Sequence, residues 1–124
     1  MARRVTLIGA VRAFWRRLRR RKRLSGVKCV TSMSALPDSL GSTLYVVGTA
    51  VPKWAVLACP CRCGERIDVN LMRNKKPNWS LSIAADRATL SPSLWVPAAK
   101  CGSHFFVHNN RIDWVPEVSS WQKI

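Results

Sequence analysis

From residue 26 onward, apolar and polar residues alternate in short runs separated by turn-forming residues. The clearest run is Arg66 to Leu71, with Ile67, Val69 and Leu71 on one side and Arg66, Asp68 and Asn70 on the other. That period of two is the signature of a half-buried strand. Trp79 to Ile83 repeats it with Ser80 and Ser82 on the polar side, and Val27 to Met33 follows it weakly. Thr43 to Val47 is rich in residues that suit a pleated surface. Phe105 to His108 and Arg111 to Trp114 flank Asn109-Asn110, a pair that tolerates positive φ and predicts a tight hairpin. Leu90 to Pro97 contains Pro92 and ends on Pro97, which predicts an edge segment. The pattern predicts a mostly β fold: a small antiparallel β-sandwich or barrel over residues 26–124.

The first 25 residues obey another period. Leu7, Val11, Trp15 and Leu18 recur at helical spacing, predicting an amphipathic helix over 3–24 or a loose arm. Residues 1–23 hold ten of the 21 Lys and Arg and none of the six acids, so most of the net charge of +15 sits here. Such an arm suits the phosphates of nucleic acid or an anionic membrane surface. No apolar run is long enough to span a bilayer. Arginines stand where a secretory cleavage site would lie, so the expectation is a cytoplasmic protein with reduced thiols.

Four of the five cysteines fall in two tight groups, Cys59-Pro60-Cys61-Arg62-Cys63-Gly64 and Cys101-Gly102-Ser103-His104. Thiols two residues apart do not reach unstrained disulfide geometry, but they converge readily on one ion. Two thiolates from the first turn with a Cys-x-x-His from the second make a sulfur and nitrogen set suited to tetrahedral zinc. The expected ligands are Cys61, Cys63, Cys101 and His104, with Cys59 either beneath the site or in place of Cys61. Cys29 reads as an ordinary strand residue. His108, four residues after His104, is either a neighbour of the metal or a solvent-facing hairpin residue.

The stretch from Val30 to Trp114 resembles a family of small, uncharacterised bacterial metal-binding proteins. The resemblance rests on Cys59 to Gly64, Trp79, Leu90-Ser91-Pro92-Ser93, Cys101 to Phe105 and Ile112-Asp113-Trp114. Arg62 departs from the glycine usual in that family, and Lys53-Trp54-Ala55 stands where a histidine often precedes the turn. Members are often encoded beside ubiquitin-like modifiers and their conjugation enzymes, which implies a protein partner from that machinery. A weaker likeness is to Rieske-type domains, whose ligand turns also sit at hairpin tips. Cys63 occupies a position where they need histidine, which argues against a true Rieske centre.

These readings point to a zinc-binding accessory or interaction module, Rieske-like or zinc-ribbon-like, with a structural Cys3His site. The alternatives are a 2Fe-2S electron-transfer protein, a zinc-dependent enzyme and a nucleic-acid binder. An enzyme is the less favoured reading, because the sequence displays no serine or cysteine nucleophile beside a base.

Overall fold

The computed structural model describes residues 18–116. Most of the expected helix, residues 3–17, and most of the last ten residues lie outside the described part.

Eight strands form two four-stranded sheets. The first comprises β1 (Gly26–Val30), β2 (Thr43–Gly48), β3 (Pro52–Ala58) and β4 (Arg66–Asn70), in that order. The second comprises β5 (Ser80–Ala84), β6 (Arg87–Trp95), β7 (His104–His108) and β8 (Arg111–Trp114), also in sequence order. Inward residues of both sheets meet in one core. Leu44, Val46, Ala55, Leu57 and Val69 come from the first; Ala88, Leu90, Leu94, Phe105, Val107 and Ile112 come from the second. This is the sandwich that the alternation predicts.

β1 runs parallel to β2, whereas every other pair is antiparallel. A parallel pair needs a crossover, and residues 31–42 supply it through a short 3-10 turn, Met33–Ala35. That crossover lays Met33, Leu36 and Leu40 over Tyr45, Val47 and Val56, so the outer side of the first sheet is apolar as well. Hence β2 reads as a continuous apolar run.

β6 is paired on both sides, with β5 and with β7, and is not an edge segment as Pro92 suggested. The proline is accommodated in a bulge: Ser91, Pro92 and Ser93 all lie opposite the single residue Phe106. A bulge interrupts the ladder, so the missing proline N–H leaves no bond unmade.

Residues 20–24, the end of the expected basic arm, run along β8 as a strap. Lys22 accepts from the Ile112 N–H at 2.8 Å, and Leu24 donates to the Asn110 carbonyl at 2.7 Å. Leu24 is buried in the core, and Arg20 stacks on the Trp114 ring at 4.3 Å. The Arg21 N–H donates to Pro60 at 2.7 Å, so the strap also reaches the cysteine turn. It covers an edge strand that would otherwise offer unpaired backbone groups. No helix among the described residues is long and apolar enough to cross a membrane.

Candidate functional site

The β3–β4 hairpin carries the first cysteine turn at its tip, between the apolar run Trp54 to Ala58 and the alternating run that begins at Arg66. The Cys59 N–H donates to the Glu65 carbonyl at 2.8 Å, and the Arg62 N–H donates to the Cys59 carbonyl at 3.0 Å. The chain then reverses through positive φ at Arg62 (68°) and Gly64 (91°). Glycine adopts such a conformation at little cost. The loop between β6 and β7 brings Cys101 to the same place from the second sheet.

The sulfurs of Cys59, Cys61, Cys63 and Cys101 all lie within 4.8 Å of one another. Cys59 and Cys61 are 3.4 Å apart, and Cys59 and Cys101 are 3.7 Å apart. A disulfide needs about 2.05 Å, whereas sulfurs bound to a tetrahedral ion at about 2.3 Å sit about 3.8 Å from each other. The donor set therefore fits a metal ion. Cys59 belongs to this group instead of lying beneath it, while His104 and His108 fall outside it. Cys29 sits on β1, exposed and apart.

Burial shapes the protonation of the thiols. It pushes the Cys59 thiol well above the ordinary thiol range and raises Cys63 to about 11. At Cys101 burial also pushes upward, but hydrogen bonds with Ser103 and the neighbouring thiols outweigh it and lower the pKa. A bound cation would supply the missing counter-charge. The Glu65 N–H already points at the Cys63 sulfur, 3.4 Å away. The two carboxylates flanking the turn are engaged elsewhere. Glu65 pairs with Lys100 at 3.3 Å and Asp68 with Arg66 at 2.9 Å. Behind the turn, a cavity of about 580 Å³ is lined by Arg19, Arg21, Arg62 and Arg66 over Met33 and Leu36.

His104 has a different partner. Its Nε2 lies 2.8 Å from the Ser93 Oγ, a distance at which a hydroxyl and an imidazole can exchange a proton. Strand register explains the meeting. The Val96 N–H donates to Ser103 at 2.8 Å, and the Val115 N–H donates to His104 at 2.9 Å. The His104 carbonyl is thus turned toward β8, which makes Trp95–His104 a non-hydrogen-bonded pair of the β6–β7 ladder. Side chains of such pairs are closest, and the His104 ring stacks on Trp95 at 4.4 Å, with 5° between the planes. Ser93, two residues before Trp95, shares its face and reaches His104 diagonally. Phe106 completes the array 6.3 Å from the His104 ring. Trp95 and Phe106 are 61 % and 46 % exposed.

The sequence displays no serine beside a base, whereas the fold brings Ser93 and His104 together. Ten residues separate them along the chain, and only the bulge and the β6–β7 register bring them together. The available signal was a serine just after a proline in a strand, with a histidine opening the next strand. That pattern is weak without the pairing. Among the described residues, no carboxylate bonds to the His104 ring.

No curated protein and no solved structure matches the chain significantly. One family model matches residues 32–115, about two-thirds of the sequence and a span that includes all four clustered thiols, Ser93 and His104. Its description is "Bacterial ubiquitination-like system serine protease (BubE)". The chain therefore belongs to the BubE family.

Proposed function

We propose that this protein is a serine hydrolase of a bacterial ubiquitination-like system, cleaving an acyl bond at the end of a modifier or of its conjugates. The observation that carries this reading is the 2.8 Å contact between Ser93 Oγ and His104 Nε2. The family description, which names a serine protease, agrees with it.

The chemistry follows from the pair. His104 Nε2 takes the Ser93 proton as Oγ attacks the carbonyl carbon, giving an acyl-serine once the leaving group has received that proton from His104. Water then attacks the acyl-serine with His104 again as base, and Ser93 is restored. Ser93 sits in the bulge, where its backbone is freed from the regular ladder and its side chain can be aimed at the histidine.

The thiol group serves a different purpose in this reading. Cys59, Cys61, Cys63 and Cys101 would hold one zinc ion in a closed four-thiolate site, replacing the expected set that included His104. Four thiolates leave no open position, so the ion would act as a structural staple. It would tie the β3–β4 hairpin of one sheet to the loop that delivers His104 in the other. A 2Fe-2S cluster accepts the same thiolates; zinc is favoured because hydrolysis needs no redox centre.

The test uses a ubiquitin-like protein extended at its C-terminus by a short peptide. Wild-type protein is expected to remove the extension, and Ser93→Ala to lose that activity while retaining its metal and fold. Equal cleavage by Ser93→Ala would eliminate the dyad as the catalytic unit.

A further inference from the structure

Resting on the Ser93–His104 reading, we propose that Trp95 is a positioning residue for His104, doing with its ring face what a carboxylate does in a three-residue serine hydrolase site. In such sites the third group holds the imidazole in one orientation and stabilises the imidazolium that forms when serine gives up its proton. Here no carboxylate among the described residues contacts the His104 ring. The group that does contact it is an indole, 4.4 Å away and 5° from parallel.

The backbone fixes this contact. Trp95 and His104 are directly opposite in a non-hydrogen-bonded pair, where side chains approach most closely. The imidazole has two faces and one edge to control. Trp95 covers one face, and Ser93 engages the edge at Nε2. Phe106 lies on the same strand face, tilted 30° to the ring and more distant at 6.3 Å. Ring rotation about the Cβ–Cγ bond, which would swing Nε2 away from Ser93, requires breaking the stack. When His104 takes the proton it becomes a cation over an indole face, an attraction that grows as charge develops. The contact is thus stronger in the transition state than before it, which is the condition for raising kcat.

Exposure supports an assigned role. A tryptophan 61 % exposed adds little to the core, and its chain neighbours, Leu94 in β6 and Val96 just beyond it, carry the burial there. Removing the Trp95 side chain should therefore leave the fold intact.

The experiment compares wild type, Trp95→Leu, Trp95→Phe and Ser93→Ala in full-chain, metal-loaded protein with p-nitrophenyl acetate as the probe. Trp95→Leu is expected to lower kcat by ~10-fold or more through lost orientation and charge stabilisation, with KM within about 2-fold. Trp95→Phe keeps a ring face and should recover most of the rate. Circular dichroism and metal content should be unchanged in all variants. Three results would overturn the inference: full kcat in Trp95→Leu, a loss confined to KM, or no rescue by phenylalanine. Undiminished turnover in Ser93→Ala removes the dyad itself, and the inference falls with it. The two failures are distinguishable because only the second involves Ser93.

Discussion

Removing the metal should loosen both sheets at once, and the size of the effect can be worked from the chain. The thiol group joins Cys63 at a hairpin tip to Cys101 in the β6–β7 loop, with 37 residues between them. Treated as a cross-link closing a loop of that length, it removes about 4 kcal/mol of chain entropy from the unfolded state. For a domain near 100 residues, each kcal/mol moves Tm by about 4–8 °C, so stripping the ion should lower Tm by ~15–30 °C. Local packing adds to this, because Cys59 and Cys61 are buried with Val96 in a small cluster of their own. The assay is thermal unfolding by circular dichroism before and after a strong chelator, with metal content measured on the same samples. Cys101→Ser should reproduce the chelated curve. A Tm change under ~3 °C with the metal demonstrably gone would refute the staple. Hydrolysis should fall in parallel, since Ser103 accepts the Val96 N–H immediately before His104 begins β7.

Other consequences are open to test. His104→Ala should abolish hydrolysis and still bind one zinc per chain by elemental analysis; loss of the zinc would restore His104 as a ligand. Phe105→Ala, which empties a fully buried core position, should cost about 3–5 kcal/mol in denaturant unfolding. Phe106→Ala, one residue on and facing outward, should stay within about 0.5 kcal/mol; equal costs would contradict the strand's orientation. In metal-free protein, burial favours the neutral form of Cys63, raising it from 9.0 to about 11. That contribution to stability is present below pH 9.0 and is lost as pH rises through about 11. The metal-free Tm should accordingly decline across that alkaline window, and a rising Tm would contradict the assignment.

Much of the scaffold is legible in the sequence because its signals are local. Ile67, Val69 and Leu71 mark β4 by alternation, and all three pack toward the main core. Asn109 and Asn110 take positive φ, 48° and 66°, as the hairpin signal requires. The two cysteine groups announce a shared site by spacing alone. Other features depend on partners that the sequence does not name. β1 is parallel to β2 because the crossover at 31–42 finds an apolar surface to cover, a tertiary effect. Pro92 suggests an edge, yet a bulge makes room for it inside a sheet. Cys59 follows an apolar run and reads either as lying beneath the site or as a ligand in place of Cys61, whereas its sulfur sits together with all three others. The Ser93–His104 contact is the least legible of all. Ser93 reads as a strand serine and His104 reads as a zinc ligand, because Cys101-x-x-His104 is such a familiar spacing. A register that places three residues opposite Phe106 is what brings the histidine to the serine.

The proposed hydrolysis requires Ser93 to be a nucleophile activated by His104. Treating the intact, metal-loaded protein with a fluorophosphonate and mapping the adduct by mass spectrometry tests that claim directly. A single adduct on Ser93 in wild type, absent from Ser93→Ala and strongly slowed in His104→Ala, is the predicted result. No adduct, or labelling of Ser93 at the same rate without His104, would contradict it.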